Sequence, residues 1–121
     1  MCAQNYLVLK SDIIVPYLSE LNNMIGKPWT LRILLELRRA KRIRYNDLLE
    51  LLEGISSSTL SINLKNLQKN GLITRKSSGK NIPFRVEYSL TEKGFDFVIA
   101  CYPLLKWAVK TNHIKNLIPI V

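Results

Sequence analysis

The chain has 121 residues, of which 47% are hydrophobic and 22% charged, the composition of an ordinary globular domain. Its length allows one domain with a modest core but is short for an enzyme with an enclosed cleft. Lysine and arginine number 18 against 9 acidic residues, which gives a formal net charge of +9. A field of that sign attracts polyanions, with nucleic acid first and an anionic membrane surface second.

The sequence contains no recognisable catalytic or metal centre. Cys2 and Cys101 are far apart and neither belongs to a CxxC pair, while the single histidine, His113, lies in the tail. No carboxylate pair, nucleophile–base set or phosphate-binding loop is evident. We therefore predict no enzyme, no cofactor and no metal, and we expect Cys101 to be a buried, unreactive thiol.

Nothing in the sequence directs the chain to a membrane. No stretch approaches the roughly 20 apolar residues of a membrane span. The N-terminal segment MCAQNYLVLKSD also lacks the apolar core and cleavage site of a secretory signal. A cytoplasmic protein is therefore the expectation.

Two amphipathic helices are predicted in the first third of the chain. Ser11 and Asp12 offer an N-cap for a helix that ends near Ile25, with Pro16 tolerated only in its early turns. Pro28 suits the first turn of a second helix over residues 29–39. The apolar side chains of the first helix are Ile13, Ile14, Tyr17, Leu18, Leu21 and Ile25, and those of the second are Trp29, Leu31, Leu34 and Leu35.

A basic run over residues 38–44 carries five positive charges and no negative one. It is either a solvated connection or a phosphate-binding segment, and its position just before the next two helices gives the second reading at least equal weight. Residues 45–52 then form a short helix with Leu48, Leu49, Leu51 and Leu52 on its apolar side. Gly54 marks a tight turn, so that a helix, a short turn and another helix follow in the spacing of a helix-turn-helix.

The stretch ISSSTLSINLKNLQKNG, residues 55–71, is the centre of this unit. Its serines and threonine can cap the free backbone N–H groups of a helix, and Gly71 suits a left-handed position that ends it. Leu60, Leu64 and Leu67 recur on one stripe. Ser58, Ile62, Lys65 and Lys69 project from the other side, with Ser61 and Asn66 at its edges.

This outer face is polar, and all its charges are positive, which suits a helix lying in a DNA major groove. Many amphipathic helices with outer lysines are simply solvated, so the stretch alone favours DNA only weakly. The elements that follow strengthen the case. Residues 72–76 and 85–90 read as two strands, the second with Val86, Tyr88 and Leu90 on one face, and the polar loop between them has a basic tip. Such a hairpin is a wing, which can reach a minor groove or the backbone beside it.

A long C-terminal helix capped by Thr91 completes the pattern, and Pro103 is expected to kink or divide it. Its apolar side, together with the first helix and the tail over residues 117–121, exceeds what one small core absorbs. We therefore expect a homodimer. The apolar side consists of Phe95, Val98, Ile99, Tyr102, Leu105 and Val109, widened by Leu104, Trp107 and Ala108.

Several of these segments resemble the HxlR family of winged helix-turn-helix transcription regulators, which is related to the MarR group. They are GKPWTL at residues 26–31, GIS at 54–56, the leucines of the central helix with Gly71-Leu72, and above all VEYSLTEKG at 86–94, behind a wing with Pro83 and Arg85. The resemblance covers roughly residues 25–107. It implies a homodimer built from the terminal helices and a pseudo-palindromic operator.

The chain departs from this family in three places. Many members have a Cys-Pro pair about ten residues before the Gly-Lys-Trp motif, and in some the cysteine senses oxidants; here the pair is Val15-Pro16, so the resemblance implies no such sensor. Ser57 stands where the family often has proline after the capping serine. Pro28 is inserted within Gly-Lys-Trp.

The sequence thus predicts a mainly α fold with a small β-hairpin, a winged helix-turn-helix whose terminal helices form a dimer interface. Residues 1–121 form a single domain, with a DNA-binding core of about residues 26–94 and dimerisation segments of about 1–25 and 92–121. The predicted function is a sequence-specific regulator that binds double-stranded DNA, with no membrane partner and no effector identified.

The predicted DNA contacts fall into two groups. Base readout is assigned to Ser58, Ser61, Ile62, Lys65 and Asn66, and phosphate contact to Arg42, Arg44, Ser57, Lys69, Lys80 and Arg85. Ile62 either meets a thymine methyl group or is partly buried against the wing. The alternative function is a protein-interaction module that uses the same surface against an acidic partner, and an apolar patch on the helix–wing face would favour it.

Overall fold

Within residues 11–78 and 85–111, which the computed structural model describes, the chain forms five helices and three short strands. The predicted tip of the wing, including Lys80, lies outside these residues, as do Cys2 and the apolar tail. In chain order the elements are α1 (Ser11–Ile25), α2 (Thr30–Ala40), β1 (Arg42–Arg44), α3 (Tyr45–Leu51), α4 (Ser57–Lys69), β2 (Ile73–Ser78), β3 (Arg85–Leu90) and α5 (Glu92–Thr111).

The core lies where α2, α3 and α4 meet the sheet and α5. Leu34 is fully buried as predicted, whereas Trp29, Leu31 and Leu35 are only half-buried. The prediction for α2 missed Ile33 and Leu37, which are more deeply buried. This helix packs against both α5 and the sheet and so buries a wider stripe. The fully or almost fully buried side chains are Ile33, Leu34, Leu37, Leu48, Leu52, Leu60, Leu64, Leu67, Leu72 and Val98.

The sheet has three antiparallel strands in the order β1-β3-β2, so the predicted hairpin is correct but incomplete. β1 falls within the basic run, which the sequence left as either a solvated connection or a phosphate-binding segment, and its three residues pair with residues 87–89 of β3. Ile43 is buried opposite Tyr88, between two exposed arginines. A single buried residue gives no alternating pattern to detect, and the strand exists only because β3 supplies its hydrogen-bond partners.

Both ends of α4 are defined by the residues that the sequence indicated. Ser56 is the N-cap, and its Oγ accepts a hydrogen bond from the backbone N–H of Thr59 at 3.1 Å. At the other end Gly71 has a φ of +74°, and the N–H groups of Gly71 and Leu72 donate to the carbonyls of Gln68 and Leu67, both at 2.9 Å. This is a glycine-terminated helix end of the Schellman type.

The cap gives a stability prediction. Ser56→Ala removes the acceptor for the Thr59 N–H and should lower the free energy of unfolding by about 1 kcal/mol. Urea denaturation at a fixed protein concentration measures it, since the stability of a dimer depends on concentration. Ser57→Ala is the matched control, because Ser57 is exposed and its side chain caps nothing. Equal destabilisation of the two variants would contradict the capping role.

α5 begins against the end of α4 and stays continuous through Pro103. Thr91 caps it as predicted: its Oγ1 accepts from the Gly94 N–H at 3.0 Å and donates to the carbonyl of Gly71 at 2.6 Å. Of the two outcomes predicted for Pro103, a kink or a division, the division does not occur, since one helix runs from Glu92 to Thr111. Pro103 has no N–H to donate to the carbonyl of Ile99, and both residues are exposed in the single chain.

Cys101 is 5% exposed on the inner side of α5, which confirms the predicted buried thiol. Burial raises the pKa of Cys101, and this lowers the share of the reactive thiolate at neutral pH. No helix in the described part of the chain is long and apolar enough to cross a membrane.

Two helices expose large apolar side chains, as the sequence predicted for α1 and α5. Trp107 is 61% exposed and Tyr17 is 67% exposed, values unusual for side chains of this size. The exposed apolar residues of the two helices are Val15, Tyr17, Leu18 and Leu21 on α1, and Phe95, Ile99, Leu104 and Trp107 on α5.

Candidate nucleic-acid interface

α4 presents the outer face that its sequence predicted. Leu60, Leu64 and Leu67 fix the helix to the core, while Ser58 and Lys65 on the other side are exposed. Ile62 is 61% exposed, so it is not buried against the wing. The helix therefore offers hydroxyl, ammonium and methyl groups to whatever lies in front of it.

Ser61 and Asn66, which were predicted at the edges of this face, lie on opposite flanks of α4 and are less exposed than its outer residues. Ser61 is half-buried, with its Oγ 3.0 Å from the phenol oxygen of Tyr45. Asn66 is half-buried on the other flank, where it lines a shallow depression with Lys27 and Lys69. Its carbonyl also accepts a hydrogen bond from the side chain of Asn70 at 2.9 Å.

α3 is held against the start of α4 by one tyrosine. The phenol of Tyr45 donates to the carbonyl of Ser57 at 3.0 Å, which ties the first turn of α3 to the first turn of α4. At the far end of α3, the Arg32 side chain donates to the carbonyl of Leu51 at 3.4 Å. The first contact joins the two helices of the helix-turn-helix, and the second joins α3 to α2.

Arg32 is itself oriented by Glu36, which also binds Arg39 at 2.9 Å. Burial by itself raises the pKa of Glu36, but the hydrogen bonds from Arg39 and Arg32 outweigh it, and the pKa lies below its ordinary value. The carboxylate is therefore ionised at neutral pH and keeps both arginines in place.

An open cleft of about 940 Å³ lies between α4 and the strands of the wing, and we call it the helix–wing cleft. Its described lining residues include four cationic side chains and one carboxylate, so that this lining has a net positive charge. Its lining residues are Arg44, Tyr45, Asn46, Asp47, Ser61, Lys65, Gln68, Arg75, Arg85, Val86 and Tyr88.

The predicted site residues are brought together only in part. Arg44, Ser61, Lys65 and Arg85 share the helix–wing cleft. Asn66 and Lys69 lie on the other flank of α4, and Ser57, Ser58 and Ile62 are on its first turns and outer face. Arg42 is exposed on β1 outside the cleft, and Lys80 lies beyond the residues described.

Sequence reasoning assigned no DNA contact to seven of the lining residues: Tyr45, Asn46, Asp47, Gln68, Arg75, Val86 and Tyr88. Arg75 is the one cation among these seven and stands opposite Tyr88 in the register of β2 and β3. Strand alternation from the buried Ile73 would have put Arg75 on the inner face of the sheet, but only the pairing with β3 shows that this face continues into the cleft.

Two helices joined by a tight turn, the second exposed on one side and followed by an antiparallel wing, define a winged helix-turn-helix, a DNA-binding fold. The chain belongs to the HxlR-like helix-turn-helix family, whose model matches residues 24–116. The protein is thus a transcriptional regulator of this fold, in a family of regulators rather than enzymes.

Individual relatives agree with this assignment. The HTH-type transcriptional regulator YdzF of Bacillus subtilis is 38% identical over 87 residues, which span 72% of this chain and 79% of that protein. Among solved structures, a MarR-family transcriptional regulator from Enterococcus faecalis superimposes with a TM-score of 0.71 at 28% identity, over 81% of this chain and 87% of its own. An HxlR-family transcription factor from Thermoplasma volcanium gives a TM-score of 0.64 at 32% identity, over 76% and 81% of the two chains.

Proposed function

We propose that the protein binds a pseudo-palindromic operator as a homodimer and that α4 of each protomer reads bases in the major groove. The observation that supports this most directly is the arrangement of α4, which is anchored by buried leucines on one side and exposes Ser58, Ile62 and Lys65 on the other. A helix held in this way can present its outer face to base edges without rearrangement. DNA as the ligand would place the working protein in the cytoplasm.

The division of labour between base and phosphate contacts follows from position. Ser58 and Ile62 stand on the outer face of α4, and Lys65 lies where this face meets the helix–wing cleft, which it also lines. Arg44 and Arg85 flank α4 along the cleft. Front residues reach base edges and flanking cations reach phosphates. Ile62 is suited to a thymine methyl group because it is apolar and exposed. We assign base readout to Ser58, Ser61, Ile62, Lys65 and Asn66, and phosphate contact to Arg42, Arg44, Ser57, Lys69, Lys80 and Arg85.

The homodimer is supported by the apolar side chains that α1 and α5 expose. They lie outside the helix–wing cleft, so a second copy that covers them would leave the cationic cleft of each protomer open to DNA. A two-fold pair of recognition helices matches an operator with two related half-sites.

The alternative, an acidic protein as the partner, is less well supported by this surface. Apart from Ile62, the large apolar residues exposed in the described part of the chain lie outside the outer face of α4 and outside the helix–wing cleft. Stable protein interfaces are centred on apolar and aromatic side chains, and among the described residues of this face Ile62 is the one large apolar side chain that is exposed. A charged, hydroxyl-bearing face fits a nucleic acid better.

Selection of bound duplexes from a random pool tests the proposal. Recovery of a two-fold symmetric sequence, with half-sites about one helical turn apart, is the expected result. The recovered duplex should then bind far more tightly than a random-sequence duplex at the same salt concentration. Failure to enrich any sequence, with folded protein, would contradict sequence-specific binding.

Substitution of two lysines on α4 distinguishes a residue that reads a base from one that contributes only its charge. Lys65→Ala removes a front-facing ammonium group and should cost about 1–3 kcal/mol on the recovered duplex while relaxing preference at one base pair. Lys69→Ala removes the same charge from the next turn, on the flank of the helix. It should weaken binding to the recovered and the random duplex by the same factor. If Lys65→Ala also weakened both duplexes equally, this residue would not read sequence.

A further inference from the structure

The helix–wing cleft lies where B-form DNA would place a sugar-phosphate strand, if the proposed function holds. One strand separates each major groove from the adjacent minor groove. With α4 in the major groove and the wing over the minor groove beside it, that strand must run between them. The space between them is the helix–wing cleft, whose lining includes Arg44, Lys65, Arg75 and Arg85.

We infer that Arg75 is a phosphate-anchoring residue, and that its guanidinium holds the DNA strand that passes through the helix–wing cleft. Arg75 stands in register with Tyr88 on β3, and Tyr88 with Ile43 on β1. Directly opposed residues of an antiparallel sheet share a face. Since Tyr88 and Ile43 are buried, Arg75 extends from the inner face of the sheet, yet it is exposed and lines the cleft.

The Arg75 guanidinium has no partner among the described residues. The ion pairs of this part of the chain are those of Glu36 with Arg32 and Arg39, and no hydrogen bond within it involves the Arg75 side chain. Asp47, the one carboxylate of the cleft, is not paired with it. A guanidinium placed beside three other cations is repelled in the free protein, and an anion that enters relieves the repulsion. The planar fork of arginine matches two oxygens of a phosphate.

The position of Arg75 also predicts that this residue does not read base sequence. It projects from β2 beside α4, not in front of it, so it meets the backbone that every sequence shares. Its contribution should therefore be equal on any duplex, in contrast to that of Lys65.

A comparison of adjacent residues tests the inference. Arg75→Gln and Lys76→Gln each remove one positive charge from the same exposed strand, but Lys76 lies opposite Glu87 and is not part of the cleft lining. Affinities are measured over a range of salt concentrations for a random-sequence duplex and for the duplex recovered by selection. Arg75→Gln should weaken both by about tenfold or more, and it should lower the salt slope by about one for each phosphate that the side chain neutralises. Lys76→Gln should have a clearly smaller effect on both.

Neutral methylphosphonate substitutions along the recovered duplex locate the phosphate. One or two positions on the strand between the grooves should weaken wild-type binding but have no further effect on the Arg75→Gln protein. Asp47→Asn should have the opposite effect on affinity. It removes the one carboxylate among the described lining residues of the cleft and should tighten binding to both duplexes.

The results that would overturn this inference differ from those that would overturn the proposed function. Weakening confined to the recovered duplex, with altered base preference, would make Arg75 a base-reading residue and overturn the inference. Equal small effects of Arg75→Gln and Lys76→Gln would mean that Arg75 anchors no phosphate and would also overturn the inference. In either case wild-type binding remains intact and the proposed function stands. A wild-type protein that binds neither duplex would instead remove the proposed function and this inference with it.

Discussion

Trp107→Glu is expected to convert the protein from a dimer to a monomer and to reduce operator affinity by about 10²–10⁴-fold. Trp107 is 61% exposed on α5 beside Leu104, which is 53% exposed. A tryptophan of this kind can bury some 150–250 Å² in an interface. Placing a carboxylate there costs several kcal/mol, because the charge would be buried without a partner. Separated protomers then bind half-sites independently and lack the gain in effective concentration that linkage gives.

Sedimentation equilibrium measures the first effect, and titration of the recovered duplex measures the second. Leu51→Glu is the matched control, since Leu51 is an exposed apolar residue on α3, away from the α1 and α5 faces. It should leave the oligomeric state unchanged. Wild-type protein that is a stable, folded monomer at micromolar concentration would refute the homodimer directly.

Local pattern was enough to predict the helices. Four of the five described helices have eleven residues or more and so contain several turns, and α4 has a serine cap and a terminal glycine that act through neighbouring backbone groups. The alternation of residues 85–90 indicated β3, and Thr91 indicated the start of α5; both elements lie there in the structure. These features depend on interactions within a few residues, which a sequence shows directly.

Features that depend on distant residues were missed or misjudged. β1 is a strand only because β3 pairs with it, and Arg75 reaches the cleft only because of the register of β2 with β3. Ser61 and Asn66 looked equivalent on a helical projection, but one packs beside Tyr45 and the other beside the corner between α1 and α2. A projection gives the direction of a side chain from its own axis and cannot show which neighbour occupies that direction.

The sharpest test of the partner itself is salt. We expect the affinity of the wild-type protein for its operator to fall by about three to five decades between 50 and 200 mM monovalent salt. Five cations among the described residues are proposed to contact phosphates, and a dimer would carry each of them twice: Arg42, Arg44, Lys69, Arg75 and Arg85. That number falls in the range of about 6–10 phosphates for which counterion release gives a slope of this size.

The slope separates DNA from an acidic protein because only DNA carries a condensed layer of counterions, which are released as its phosphates are neutralised. Surface ion pairs between two proteins are screened by salt but release no such layer, so their dependence is weaker. Arg85→Gln supplies the internal check, as it should reduce the slope by about one per phosphate and weaken the recovered and random duplexes alike. A flat salt dependence for the wild-type protein, with the fold intact at each concentration, would exclude DNA as the partner of this surface.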